Sequence, residues 1–325
     1  MNRRALILGA NGQDGSYMAE LLLEKGYQVF GLLRRSSTPK MQRIAHLLDR
    51  LEIIHGDITD LPSLERALRR ARPDEVYNFA AQSFVATSFD APLSTADSTG
   101  LGALKLLEAI RGVGLTPRIY QASSSEMFGN ATQRPQNEET PLHPASPYGA
   151  AKCFAHMCMQ VYRAAYHMYI CNGIGFNHES ERRGEEFVTR KITKAIGAIK
   201  AGQQDLLSLG NTAARRDWCH AEDVVRGAWL MLQQEEPGDY VLASGETHSV
   251  QEFIEYAFNY AGLDYHKYVR IDPQYLRPLD VQTLCGNATK AQQRLGWAPT
   301  VTFPELIRRM VDADCHTDAY LARHR

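Results

Sequence analysis

The segment Arg4-Ala5-Leu6-Ile7-Leu8-Gly9-Ala10-Asn11-Gly12-Gln13-Asp14-Gly15 constrains the fold more than any other part of the chain. A short apolar run ends at Gly9, and two more glycines follow at three-residue steps. A helical pattern then runs from Ser16 to Lys25, and a second apolar run covers Gln28 to Leu33. Strand, tight turn, helix and strand within about thirty residues form the unit that seats a dinucleotide pyrophosphate on a helix N-terminus. The first helical turn has free N–H groups and a partial positive charge, and glycines let the backbone come close to phosphate. On this reading Gly9, Asn11, Gly12, Gln13, Asp14 and Gly15 hold the cofactor. The spacing is G-x-x-G-x-x-G rather than G-x-G-x-x-G, and a plain βα turn is the alternative.

The end of the second strand chooses the cofactor. An acidic residue there would hydrogen-bond the ribose hydroxyls of NAD. The chain instead reads Leu33-Arg34-Arg35-Ser36-Ser37, with no carboxylate. Two guanidiniums and two hydroxyls suit a 2′-phosphate, so Arg34, Arg35 and Ser36 are expected to select NADP over NAD. A solvated basic turn or a subunit contact is the alternative.

The βα rhythm continues. Strands are expected at Leu51–His55, Glu75–Phe79, Arg118–Ala122 and Tyr169–Ile174, with helices at Leu61–Arg70 and from about Ala91 to Arg111. Strands alternating with helices imply a parallel sheet covered on both faces. After about Asn177 the rhythm breaks. A helix is expected over Phe187–Ala201, a short strand over Leu206–Leu209, a helix near Val224–Gln233 and a last sheet strand at Asp239–Leu242. Two further helices, Val250–Ala261 and Pro304–Ala313, complete a mixed region. The expected fold is α/β, a Rossmann-type doubly wound parallel sheet with a smaller mixed α/β lobe. Residues 1–177 plus about 214–245 would bind the dinucleotide, and about 178–213 plus 246–325 the substrate. At 325 residues the chain suits two such parts.

A net charge of −1 without a basic stripe argues against nucleic acid. The first strand starts almost at once, which leaves no room for a signal peptide, and no run of about 18 apolar residues could span a membrane. Six scattered cysteines without a C-x-x-C pair read as reduced thiols of a cytoplasmic protein, forming neither a metal cage nor a disulfide frame.

The chemistry centres on Ser146-Pro147-Tyr148-Gly149-Ala150-Ala151-Lys152. Ser146 is a good N-cap and Pro147 a good first helical residue, so Tyr148 and Lys152 share one helix face a turn apart. A free tyrosine has a pKa of about 10, and a nearby ammonium, the helix N-terminus and a nicotinamide cation would all favour its phenolate. A buried tyrosine beside a snorkelling lysine is the bland reading. After the fifth strand comes Ser123-Ser124-Ser125-Glu126, which delivers a hydroxyl and a carboxylate to the strand ends; a polar loop is the alternative. Basic residues after Asn177 (Arg182, Arg183, Arg190, Lys191, Arg215, Arg216, Arg277) could pair a pyrophosphate, though surface ion pairs explain any single one. In Arg216-Asp217-Trp218, a buried arginine paired to a structural aspartate also fits. His220 and His248 read as packing or surface residues.

Taken together, the chain resembles the GDP-mannose 4,6-dehydratase family of extended short-chain dehydrogenases/reductases. The resemblance rests on these segments, on Ala81-Gln82-Ser83, on Phe176-Asn177-His178-Glu179-Ser180 with Arg182-Arg183-Gly184, and on Phe187-Val188-Thr189-Arg190-Lys191. It covers almost the whole chain. It implies that Tyr148 is the base, with Lys152 orienting it and holding the nicotinamide ribose. Ser124 would hydrogen-bond the sugar 4-hydroxyl, and Glu126 would be the acid/base at C5 and C6. Asp57 and Ile58 would flank the adenine, and Phe79, Ala80, Ala81, Gln82 and Ser83 would line the cofactor, with His178 and Arg183 also touching NADP. Ser83, Asn177, Val188, Lys191, Arg216 and Arg277 would meet GDP-mannose. It also implies a homo-oligomer, tetramer or dimer, with the Arg34-Arg35 loop near a subunit contact in tetramers. Two positions depart from the family pattern: Ser124 stands for the usual threonine and keeps the hydroxyl, and Ser94 stands for a tyrosine and loses a ring. A 4-epimerase or 4-reductase of the same fold needs no carboxylate at C5, so Glu126 discriminates against it. A non-catalytic NADP sensor would not need both Tyr148 and Lys152.

Overall fold

The computed structural model describes residues 2–37, 41–276 and 278–316. Seven strands, β1 (Arg4–Leu8), β2 (Gln28–Leu33), β3 (Leu51–His55), β4 (Glu75–Asn78), β5 (Arg118–Ser124), β6 (Ile170–Gly175) and β7 (Asp239–Leu242), form one sheet. Their order is β3-β2-β1-β4-β5-β6-β7, and every pairing is parallel. Successive strands move outward from β1 in one direction and from β4 in the other. The order therefore reverses between β1 and β4, which opens a crevice at their carboxyl ends.

Among the described residues, eight main helices accompany the strands: α1 (Gln13–Glu24), α2 (Leu61–Ala71), α3 (Gly102–Gly112), α4 (Pro147–Tyr166), α5 (Val188–Lys200), α6 (Ala221–Met231), α7 (Val250–Tyr260) and α8 (Phe303–Cys315). The two-residue period of β1 explains the layering. Ala5 and Ile7 join Met18 and Leu22 of α1 and Val224 and Ala228 of α6 on one face. Leu6 and Leu8 join Leu64 and Leu68 of α2, Leu106 and Ile110 of α3 and Met159 of α4 on the other. Both faces of the strand are covered, which is why its apolar run is continuous rather than alternating.

A third core lies away from the sheet. Ile196 of α5, Phe253, Ile254 and Phe258 of α7, and Ile307 and Met310 of α8 pack there with Trp218. Short strand pairs edge this lobe: Leu207–Leu209 runs parallel to Val269–Ile271, and Arg215–Arg216 antiparallel to His248–Ser249. A fourth cluster joins Met127 and Phe128, just after β5, to Phe176, Val241 and Leu284. It anchors the turn that follows β5 against β6, β7 and the lobe.

Three helices differ from the sequence expectation. The helix expected from Ala91 to Arg111 is a short helix Pro92–Thr95, a π-helical stretch Ala96–Leu101 and then α3. Thr95 and Ser98 hydroxyls bond back to the carbonyls of Ala91 and Ser94, and Gly100 packs against Ala151 and Phe154. Hydroxyl competition for carbonyls and a tight helix contact widen the turn here. Helix α6 starts at Ala221, three residues early, because the His220 ring accepts from the Glu222 N–H at 3.2 Å. Helix α1 also starts early, at Gln13, with Gly12 as its N-cap, so Gly15 falls inside the first turn.

That placement makes Gly15 irreplaceable. A Cβ there would lie 2.2 Å from the Gly9 carbonyl oxygen and 2.7 Å from the Ala10 Cα, both backbone atoms that cannot step aside. Gly15→Ala is expected to destabilise the protein by about 3 kcal/mol or more, seen as a lowered Tm in thermal unfolding. An unchanged Tm would mean that α1 does not enter against Gly9.

Candidate active site

A cleft of about 960 Å³ runs along the carboxyl ends of the sheet strands towards the second lobe. Gly9, Asn11, Gly12, Gln13, Asp14 and Gly15 all line it. Gly9 adopts φ +78°, where L side chains are strained, and its turn lies against the backbone of Ala80. No side chain caps α1, whose N-cap is Gly12. The first-turn N–H groups therefore remain available for an anion, and the turn fits the phosphates of a dinucleotide. Two of the expected cofactor side chains are engaged by the protein itself. Gln13 donates to the His178 carbonyl (3.1 Å) and accepts from Ser180 (2.9 Å), while Asp14 meets His178 Nε2 at 2.9 Å. They staple the turn to the segment after β6. Arg43, which no motif marks, reaches the same place and donates to the carbonyls of Asn11 (3.3 Å) and Arg182 (2.6 Å).

The reacting groups come from β5 and α4. Ser146 caps α4 by accepting from the Gly149 N–H at 3.0 Å, and Pro147 follows it. Tyr148 and Lys152 thereby face the sheet. At the end of β5 the chain turns through Ser125–Met127, and Ser124 Oγ accepts from the Glu126 N–H at 3.2 Å. Gly149 lets these two elements meet: a Cβ there would stand 2.7 Å from the Glu126 carbonyl oxygen. Ser124, Glu126, Tyr148 and Lys152 all line the cleft, and each is at most 9% exposed.

Burial dominates the electrostatics of this group. It pushes the Tyr148 phenol up to about 12, against the opposing effect of a hydrogen bond with Ser124, and the nearby Glu126 charge adds to the rise. Burial also brings the Lys152 ammonium down to about 8. Lys152 Nζ donates to the Ala122 carbonyl at 2.7 Å and stands 5.7 Å from the centre of the Tyr148 ring.

Phe79, Ala80, Ala81 and Ser83 also line the cleft, whereas Gln82 turns its amide to the backbone of Phe84. Arg34, Arg35 and Ser36 are exposed after β2, and Asp57 and Ile58 follow β3; these lie beyond the cleft walls. On the lobe side stand Asn177, His178, Arg183, Val188, Lys191 and Arg216. Asn177 Oδ1 is buried with no hydrogen-bond partner among the described residues, a ready acceptor. Lys191 donates to the Ser208 carbonyl at 2.7 Å and lies 3.9 Å over the ring of Tyr275, a cleft residue that the sequence did not reveal. The buried arginine has an aspartate partner, but a distant one: Arg216 meets Asp280 at 3.3 Å, while Asp217 accepts from the N–H groups of Ser244, Gly245 and Gly286. Arg182, Arg190 and Arg215 pair with Glu20, Asp314 and Glu252 instead of facing the cleft. Arg277 lies outside the described residues. His220 is fully buried, and His248 stacks on Phe303 at 3.9 Å.

The Asp14–His178 pair carries a pH signature. Burial opposes charge on both, yet each holds the other ionised: the carboxyl falls to about 2 and the imidazole rises above 6.5. The Asp14 contribution to stability is complete above about 3.8 and is lost as pH falls towards 2. The His178 contribution is complete below about 6.5 and is lost as pH rises through the higher folded value. His178→Ala should therefore destabilise most between these limits, on the order of 2 kcal/mol, and less at alkaline pH. Thermal melts of parent and variant across pH would show this, and a pH-independent difference would contradict it.

Comparisons with known proteins follow the same line. The sequence profile of the family described as "GDP-mannose 4,6 dehydratase" matches residues 6–310. GDP-mannose 4,6 dehydratase 1 of Arabidopsis thaliana is 53% identical over 95% of this chain and 89% of its own length. The Homo sapiens GDP-mannose 4,6 dehydratase is 46% identical over 95% of this chain and 91% of its own. Among solved structures, the Thermus thermophilus UDP-glucose 4-epimerase in complex with NAD superposes with a TM-score of 0.84 at 28% identity, covering 97% of this chain and 99% of that one. The epimerase shares the Rossmann-type frame, while the profile and the full-length identities single out one branch of it: this chain belongs to the GDP-mannose 4,6-dehydratase family.

Proposed function

We propose that this protein eliminates water from GDP-mannose to give GDP-4-keto-6-deoxymannose, with a retained NADP. The observation that carries this reading is the meeting of Glu126 and Tyr148 across Gly149, which puts a carboxylate and a phenol on one buried wall beside a dinucleotide turn. Tyr148, whose phenol Ser124 helps to keep from rising further, takes the proton of the C4 hydroxyl. A dinucleotide held at the Gly9–Gly15 turn would supply reversible hydride transfer with the sugar. The C4 ketone acidifies the C5 hydrogen, and Glu126 removes that proton and passes it to the departing C6 hydroxyl. One carboxylate serves both because the leaving group is on the neighbouring carbon. The proton first taken by Tyr148 balances the one that C5 finally receives. Oxidation and reduction cancel, so the cofactor emerges unchanged. A 4-epimerase needs no acid/base at C5, and Glu126 speaks against that reading.

Several features support the remaining assignments. Arg34, Arg35 and Ser36, exposed and without an acidic neighbour in the turn, suit the 2′-phosphate of NADP. Gly9 to Gly15, Asp57 and Ile58, and Phe79 to Ser83 follow the strand ends that would receive the dinucleotide, with His178 and Arg183 closing over it. Asn177, Val188, Lys191 and Arg216 offer acceptor, apolar and cationic groups for the GDP moiety. Residues 1–177 with about 214–245 then serve the cofactor, and about 178–213 with 246–325 the nucleotide sugar. Phe154, Met157 and Val161 form an apolar stripe on α4, with Leu93 and Leu101 also exposed, and a second copy of the chain would cover it. A reducing cytoplasm suits the six cysteines, all unpaired.

Glu126→Gln should still oxidise C4 but not lose water. In a single turnover NADPH absorbance should rise, and mass spectrometry should find the 4-ketone, lighter than GDP-mannose by a pair of hydrogens, and no dehydrated product. Full dehydration by this variant would remove Glu126 from the mechanism. Tyr148→Phe should slow turnover by roughly 10²–10⁴-fold. Replacing Arg34 and Arg35 by Ala should weaken NADP binding about tenfold to a hundredfold with little change for NAD, measured by calorimetry. Equal loss for both dinucleotides would argue against a 2′-phosphate contact.

A further inference from the structure

Apart from the groups given roles above, one hydrogen-bond chain starts in the cleft, is buried at Ser123 and His156, and passes through the exposed Gln160 to the outer strand of the sheet. Ser123 lies on β5 just before Ser124, lines the cleft and is 7% exposed. Its Oγ is 2.9 Å from Nδ1 of His156. His156, 5% exposed, stands one turn along α4 from Lys152 and two from Tyr148. Its Nε2 is 3.1 Å from the Gln160 amide nitrogen, and that same nitrogen donates to Asp239 Oδ2 at 2.7 Å. Asp239 opens β7 and is held in turn by Arg163 and by the Asn172 amide at 3.0 Å.

These contacts determine where the protons sit. The Asp239 carboxylate only accepts, so it fixes the Gln160 amide with its NH₂ group towards both partners. One amide hydrogen goes to Asp239 and the other to His156 Nε2, which must therefore accept. A neutral imidazole with Nε2 accepting carries its hydrogen on Nδ1 and donates it to Ser123 Oγ. The Ser123 hydroxyl proton is then left to donate elsewhere, and the cleft is the open side. Asp239 itself is 3.8 Å from His156 Nε2, too far for a direct hydrogen bond. Burial lowers the His156 pKa, in keeping with a neutral ring. Lys152 grips the preceding residue, Ala122, through its carbonyl, so α4 holds the end of β5 at two successive residues.

We propose that Ser123 is an additional hydroxyl donor to the sugar at the reacting end of the cleft, and that His156 is the positioning residue that aims it, through Gln160 and Asp239. The role towards a sugar rests on the dehydratase reading; the proton arrangement does not. Nitrogen-15 NMR of the full-length protein with labelled histidine, with the signal assigned by its loss in His156→Asn, should show the Nδ1–H neutral tautomer at neutral pH. An Nε2–H tautomer or an imidazolium would overturn the relay. In kinetics, Ser123→Ala and His156→Leu should each lower kcat roughly tenfold with little change in KM, the size of one lost hydrogen bond. The double variant should be no slower than either, because both remove the same contact. His156→Asn, whose amide nitrogen takes the place of Nδ1, should recover most of the rate. Multiplying losses in the double variant, or no recovery with Asn, would overturn the positioning role. Parent protein that forms no keto product from GDP-mannose would overturn the dehydratase reading and with it the sugar contact, whereas a wrong tautomer in an active parent overturns the relay alone.

Discussion

The close passage of the Glu126 backbone over Gly149 is the contact on which the site depends. It is a meeting of main chain with main chain, possible only because Gly149 has no Cβ. A strand end and a helix start that are far apart in sequence thereby share one wall. Ser146 sets where α4 begins, Ser124 shapes the turn that carries Glu126, and the apolar cluster of Met127, Phe128 and Phe176 holds that turn down. Each is a small local preference, and together they place a phenol and a carboxylate in one cleft.

Burial gives this site its chemistry and also works against it. Tyr148 and Lys152 are removed from water, which favours the neutral form of both. A phenol pushed upward is a poor base by itself, and Ser124 is the neighbour that most opposes the rise. Lys152 contributes less as a charge beside the ring than as a clamp on Ala122. The α4 face that bears Tyr148 and Lys152 is thus primarily a device for geometry.

Helix α1 fixes the segment that follows β6. Gln13 and Asp14 reach His178 and Ser180, and Arg182 reaches Glu20 at 2.7 Å. The segment that leaves β6 for the second lobe is therefore fixed to the same glycine turn that lines the cleft. A change in that turn is mechanically close to Asn177 and Arg183, which line the same cleft.

Much of this was legible in the chain. The glycine spacing and the apolar run from Ala5 to Leu8 gave the βαβ unit, and the strand pattern gave the parallel sheet, because periodicity reports burial directly. Ser146, Tyr148 and Lys152 were visible because capping and helical spacing are local. The π-helical stretch over Ala96–Leu101, the reach of Arg43 to Asn11, and the pairing of Arg216 with Asp280 rather than Asp217 were not. Sequence by itself determined the elements and the types of group they carry, since short-range sterics and hydrogen bonding set those. Only the tertiary structure decided which groups meet and which are already satisfied. A carboxylate sixty residues away can outcompete a neighbour once packing brings it within hydrogen-bond reach, and no pattern along the chain records that distance.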